Sequence, residues 1–259
     1  MKTCQITHLN VPIIDVIKEM GGERKKNEDY YLENLCFAKA KQIYGDCLPK
    51  EVSDRLKYEL KIIKHRGASG YFLFLQDVVN AVQSELGIWI GPGRGTAAGC
   101  LVCYCLGITK IDPLKFDLLF ERFLNPDGIM FPDIDIDTEN EGRERIMSWL
   151  EQKYGKECCA HIAKGKECLH LCGVVVANKP IANLAPISTL SVKVPSGSQT
   201  TLNCVQYDDI ESSGLIKFDF ADFETLTQMK EICDLVKMKE GKDLDIEKVP
   251  IDDNKTMDL

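Results

Sequence analysis

The sequence predicts an α/β protein whose sheet region follows a helical segment, and three observations predict it. Apolar residues in the first quarter recur at three- and four-residue intervals, the period of an amphipathic helix. Further on, "FPDIDIDTEN" and "LIKFDFAD" alternate with period two, as strands with two unlike faces do. Between them a glycine-rich turn, "GPGRGTAAGC", links a short apolar stretch to a helix-like run.

Each element follows from local chemistry. "NEDYYLENLCFAKAKQIYG" and "PKEVSDRLKYELKIIKHRG" each close near glycine, and the second opens on proline, which is tolerated in a first helical turn. "YFLFLQDVVNAVQSELG" reads as a more buried helix and "GIWI" as a short buried strand. Thr96 is placed to cap a helix beginning in "TAAGCLVCYCLG". "STLSVKVPSGSQTTLN", rich in Ser, Thr and Gly, reads as a flexible hairpin connection without chemistry. "SSGLIKFDFADFETLTQM" reads as turn, strand and helix, with Lys217 and Asp219 on one face of the strand and Phe218 and Phe220 on the other.

Composition narrows the function classes. The chain has 259 residues, 44% of them hydrophobic, enough for one large domain or two small ones. No stretch reaches the ~20 apolar residues that cross a bilayer, and the first twenty residues lack an apolar core followed by a small-residue cleavage site. A cytoplasmic protein without a membrane partner is expected. Its 12 cysteines then read as buried apolar filler. Cys158, Cys159, His161, Cys168, His170 and Cys172 do not form paired zinc-ligand spacings. A net charge of -8 argues against a self-sufficient nucleic-acid binder, because phosphate contacts call for a basic surface.

Asp133, Asp135 and Asp137 share one face of a strand while Ile134 and Ile136 take the other. Carboxylates so crowded repel one another unless they stay in water, as on a charged strand edge, or hold a divalent cation. The glycine turn offers a related choice. Gly91, Gly93 and Gly95 permit close backbone approach to an anion, although the Lys-Ser/Thr ending of a Walker A loop is absent. Gly93, Gly95 and Ala98 fit a loose dinucleotide fingerprint without its ribose-binding acid, and a plain tight turn remains open. If the strand of Asp219 pairs beside that of Asp133 and Asp135, three carboxylates from two strands can hold two Mg²⁺ ions about 3.5–4 Å apart. A nearby phosphate cradle then has a nucleoside triphosphate as its ligand.

"GYFLFLQDVV", "GPGRGTAAGCLVCYCLGITKIDPLKFDLLFERFLNPDGIMFPDIDID" and "GLIKFDFADFETLT" together resemble the C-family bacterial replicative DNA polymerases, the alpha subunits of DNA polymerase III. The resemblance implies a polymerase beta-like nucleotidyltransferase palm, a mixed sheet with flanking helices. It implies catalytic, metal-binding roles for Asp133, Asp135 and Asp219, and a place for Asp137 just behind them. Phosphate or nucleotide contacts are implied for Gly93, Arg94, Gly95, Thr96, Arg122 and Lys217, with Thr96 standing where the family has serine. The implied cofactor is a pair of Mg²⁺ ions, with Mn²⁺ as substitute. The implied reaction is nucleotidyl transfer from a deoxynucleoside triphosphate to a primer 3′-hydroxyl. Implied partners of the full-length family are primer-template DNA and other replisome subunits, the latter through regions absent here.

The resemblance also suggests an organisation: a helical lead-in over 1–69, palm over 70–162 and 170–224, and the start of the fingers over 225–259. Residues 163–169 form a short joint where the family inserts a thumb. His170, Gly173 and the run Val174 to Val176 resume the palm. With the thumb missing, the chain alone is expected to be inactive as a polymerase. The alternative is a non-catalytic nucleotide- or metal-binding module derived from the same fold.

Overall fold

The computed structural model describes residues 10–126, 131–165, 168–193, 199–250, 253 and 255. Helices α1 (Asp15–Met20), α2 (Arg24–Tyr44), α3 (Lys50–His65) and α4 (Ser69–Ser84) come first, the last three where the helical periodicity placed them. α4 is buried along most of its length, including the consecutive run Tyr71 to Leu75. A helix apolar on every side must be covered on every side. Here α2 lies against α4, while Phe74 packs on Phe218 with ring centroids 4.5 Å apart.

The glycine turn departs from expectation. A 3₁₀ turn, Gly95–Gly99, precedes α5 (Leu101–Cys105), with Cys100 extended between them, so Thr96 caps no continuous helix. Two contacts account for the break. A Cβ at Gly99 would lie 2.7 Å from the Leu119 carbonyl oxygen, so the backbone there is pinned against a neighbouring turn. The buried Glu59 carboxylate accepts from the N–H groups of Leu101 and Val102 at 3.0 and 2.9 Å, which starts the helix afresh. "GIWI" likewise forms a single bridge, Ile90 to Thr138, instead of a strand. Pro92 offers no N–H, and the turn leads the chain away.

Six strands follow: β1 (Asp135–Thr138), β2 (Cys159–Lys164), β3 (Cys168–Val176), β4 (Ile187–Lys193), β5 (Gln199–Gln206) and β6 (Lys217–Asp222). Helix α6 (Gly142–Tyr154) connects β1 to β2, and α7 (Tyr207–Ser212) lies between β5 and β6. Helix α8 (Glu224–Glu240) follows β6. The strand order is β1-β6-β3-β2-β5-β4. β1 with β6 and β2 with β5 are parallel, and the other neighbours antiparallel. This mixed sheet with flanking helices agrees with the α/β palm that the resemblance implies.

Around 163–169, β2 and β3 are antiparallel neighbours, closing at Lys164 opposite Cys168. The stretch read as a flexible hairpin connection is a hairpin with regular arms, since β4 and β5 pair antiparallel from Ile187 opposite Val205 to Lys193 opposite Gln199, and its tip, 194–198, lies outside the described residues. One buried apolar cluster runs from Leu32 and Leu56 in the leading helices through Phe72 to Ile136, Val174 and Phe218 in the sheet. Each such side chain contributes about 1.5–3 kcal/mol on burial. The helical segment and the first sheet strands therefore share one core.

A candidate metal and phosphate site

The parallel register sets Asp135 opposite Asp219, and Asp133 lies just before β1 begins. Ile134 and Ile136 are buried, as period two requires. A buried tyrosine on α4 fixes the approach to the strand: the Ile134 N–H donates to Tyr71 Oη at 3.0 Å. The same ring stacks on Phe218 at 5.5 Å, so Tyr71 touches both strands that carry the aspartates. Its signal in the sequence, a polar tip within "GYFLFLQ", is indistinguishable from ordinary core packing.

One carboxylate oxygen from each of Asp133, Asp135 and Asp219 lies within 4.8 Å of the other two. Asp133 is exposed, Asp135 half-buried and Asp219 buried. Three hard oxygen donors this close together suit Mg²⁺ or Mn²⁺, whose remaining ligands come from water or phosphate. Among the described residues this is the one group of carboxylate, His and Cys donors close enough to hold a cation. Of the other cluster read from the sequence, Cys158 and Cys159 are buried and His161 is turned to Arg143, while the side chains of Cys168 and His170 lie outside the described residues.

Two cations already lie among the aspartates. Arg94 Nη1 reaches Asp135 Oδ2 at 2.8 Å, and its Nε reaches Asp137 Oδ1 at 2.9 Å. Lys217 Nζ lies against Asp219 Oδ2 and 3.5 Å from Asp133 Oδ2. These contacts shift the proton affinities. Burial lifts the Asp135 carboxyl above its usual range, with Asp133 and Asp219 adding to the effect and Arg94 opposing it. Burial also works against the charged Lys217, yet its bond to Asp219 and the attraction of Asp133 outweigh that and raise its affinity for the proton. Arg94 is held more firmly charged, chiefly by its hydrogen bond to Asp137.

The glycine turn is fastened beside this cluster. The Gly91 N–H donates to the Asp137 carbonyl at 2.9 Å and the Lys110 N–H to the Pro92 carbonyl at 2.8 Å. Gly93 has φ +102°, and a Cβ there would lie 2.8 Å from Thr109 Cγ2, so only glycine is accommodated. Gly95 and Thr96 are exposed in the 3₁₀ turn. The amino end of α5 adds nothing to the cradle, because Glu59 already occupies it. What remains for an anion is the turn's backbone, the Thr96 hydroxyl and Arg94. Arg122 is exposed in a separate turn, Phe120–Arg122, and among the described residues no ion pair joins it to the aspartates.

Sequence inspection passed over the far end of β6. Thr138 Oγ1 donates to Asp222 Oδ1 at 3.0 Å, and the same oxygen accepts from the Arg143 N–H at 3.0 Å. Asp222 thereby ties β1, β6 and the start of α6 together. Asp222, three residues beyond Asp219 at the end of the strand, carries no separate sequence signal.

Residues 30–168 match the model of the bacterial DNA polymerase III alpha NTPase domain. A DNA polymerase III subunit alpha of Thermus aquaticus is 32% identical over an alignment covering 79% of this chain and 22% of that protein. The protein of the same name from Staphylococcus aureus (strain COL) is 31% identical, with 80% of this chain and 25% of the relative covered. The chain thus spans about a fifth to a quarter of the length of these relatives. With the matched stretch carrying both the glycine turn and the β1 aspartates, the chain belongs to the bacterial DNA polymerase III alpha family.

Proposed function

We propose that this chain carries the catalytic palm of a DNA-directed DNA polymerase, acting in nucleotidyl transfer from a deoxynucleoside triphosphate to a primer 3′-hydroxyl. The observation that carries this reading is the convergence of Asp133, Asp135 and Asp219, from two neighbouring strands, to within 4.8 Å. These three carboxylates would hold two Mg²⁺ ions, or Mn²⁺ in their place. Once bound, such ions acidify an attacking hydroxyl and neutralise charge on the leaving pyrophosphate. Gly93, Gly95 and Thr96 offer backbone and hydroxyl donors to phosphate oxygens, and Arg94, Lys217 and Arg122 supply positive charge. In the full-length protein the partners are primer-template DNA and other replisome subunits, and the setting is the cytoplasm.

The test is thermal stabilisation by Mn²⁺ together with dATP, compared in the natural chain and in Asp133→Ala and Asp219→Ala variants of matched circular dichroism. Stabilisation of the natural chain alone is expected. Equal stabilisation of all three contradicts the assignment.

A second reading, a non-catalytic nucleotide- or metal-binding module on the same fold, is favoured by the ion pairs of Arg94 and Lys217, which satisfy the carboxylates without a metal. It predicts that triphosphate leaves those pairs intact and that no metal gathers at Asp133, Asp135 and Asp219.

A further inference from the structure

Arg94 holds two aspartates with different nitrogens, and the two contacts are not equivalent. Its Nε rests on Asp137, which lies outside the cluster of Asp133, Asp135 and Asp219, whereas Nη1 rests on Asp135, a member of it. Arg94 also sits in the turn that Gly91 fastens to β1 through the Asp137 carbonyl. The guanidinium is a rigid planar fork, so Nη1 leaves Asp135 only when the whole head group swings, with Asp137 still beside it as the nearest counter-charge. A guanidinium and a divalent cation on one half-buried carboxylate repel each other, whichever of its two oxygens each takes. A phosphate is a better partner for the freed fork than water, because its oxygens match the guanidinium geometry.

We propose that Arg94 is a latch on the metal site: lodged between Asp137 and Asp135, its guanidinium obstructs Asp135 until a polyphosphate draws it away, so cation and polyphosphate enter together. The inference rests on the metal-site reading above and adds an order to it. Asp137 is then a positioning residue acting through Arg94. Lys217 supplies the remaining counter-charge on the Asp133 and Asp219 side, so release of Arg94 opens one ligand and not the whole cluster. By linkage, an anion that prefers the released Arg94 raises affinity for the cation, and the cation raises affinity for the anion by the same factor.

Mn²⁺ binding measured alone, from the loss of the free-ion electron paramagnetic resonance signal, separates the possibilities. The proteins compared are the natural chain, Arg94→Gln, Asp135→Asn and the Arg94→Gln/Asp135→Asn double variant, at low salt and at 0.5 M KCl, where fields between exposed charges are screened over a few ångströms. Arg94→Gln is expected to bind Mn²⁺ about tenfold more tightly than the natural chain at both salt concentrations, and the double variant to lose that gain. Misfolding would not produce such an increase. Unchanged or weaker binding by Arg94→Gln overturns the latch, as does a gain that vanishes in high salt, which would mark a field effect only. In those outcomes weakened binding by Asp135→Asn leaves the metal site standing. Equal binding by Asp135→Asn and the natural chain removes both the site and the latch. A final arm adds inorganic tripolyphosphate, which should strengthen Mn²⁺ retention less in Arg94→Gln than in the natural chain. An equal effect in both contradicts the latch.

Discussion

Asp135 and Asp219 face each other across two parallel strands, one carboxylate half-buried and the other buried, although like charges directly opposite destabilise a sheet. Arg94 and Lys217 offset part of that repulsion. Burial nevertheless lifts the Asp135 carboxyl above its usual range, so folding works against its charge. Replacing it with the neutral amide in Asp135→Asn should leave the melting temperature unchanged or slightly higher, since the lost pair with Arg94 is partly exposed and worth less than about 1 kcal/mol. Thermal unfolding without metal checks this. A fall of many degrees would make Asp135 a structural hydrogen-bonding residue.

Glu59 should behave oppositely. Its carboxylate is fully buried, pairs with Arg55 Nε at 2.7 Å and accepts from the Leu101 and Val102 N–H groups. Arg55 in turn donates to the carbonyls of Gly99 and Leu118, so the pair secures the far side of the glycine turn. Glu59→Gln places an amide beside donors and strips Arg55 of its counter-ion, for an expected loss of about 2–4 kcal/mol in urea unfolding. A loss below about 0.5 kcal/mol would contradict this role.

His161 gives the chain a pH-dependent weakness. Burial, and then the Arg143 guanidinium 2.9 Å from Nδ1, lower its pKa from 6.5 to about 4. The unfolded chain thus gains the proton first, so stability is complete above the unfolded value and falls as the pH drops from there towards the folded one. Between pH 7 and pH 5 the loss amounts to about 2 kcal/mol. His161→Gln should remove that increment from the difference between urea midpoints at the two pH values. An identical pH dependence in the variant would assign the loss to carboxylates.

Primer extension should be negligible for this chain on its own. Holding hydroxyl, phosphate and leaving group in line supplies ~7–11 kcal/mol of barrier reduction, and that alignment depends on gripping the duplex. Here β2 and β3 meet as adjacent strands where the family resemblance places a thumb, and the net charge is -8. Duplex binding should be detectable only at low salt. An assay with micromolar protein, Mg²⁺ or Mn²⁺ and all four nucleotides checks this beside Asp133→Ala and Asp135→Ala. Robust extension that disappears in the variants would show a working minimal polymerase.

The strands at the site were legible because their alternation is local: Ile134, Ile136, Phe218 and Phe220 are buried, and the acids between them face the other way. The convergence of Asp219 with Asp133 and Asp135 needed only one pairing, and β1 and β6 supply it. The glycine turn was read less well. Thr96 looked like a helix cap, but that outcome depended on Glu59, some forty residues earlier, reaching the Leu101 and Val102 N–H groups. Tyr71 and Asp222 act through distant partners too, Ile134 and Arg143, and no periodicity marks such pairs. β4 was obscured by its composition, since Ser and Thr suit an edge strand as well as a loop.

The most direct test of the central claim, that Asp133, Asp135 and Asp219 jointly hold divalent cations around a triphosphate, is anomalous diffraction from crystals soaked in Mn²⁺ and a deoxynucleoside triphosphate. The account predicts manganese peaks among these three carboxylates, with the triphosphate against Gly93 to Thr96 and Arg94 turned from Asp135 towards a phosphate oxygen. Manganese peaks elsewhere in the crystal, with none at the three aspartates while nucleotide is bound, would contradict it.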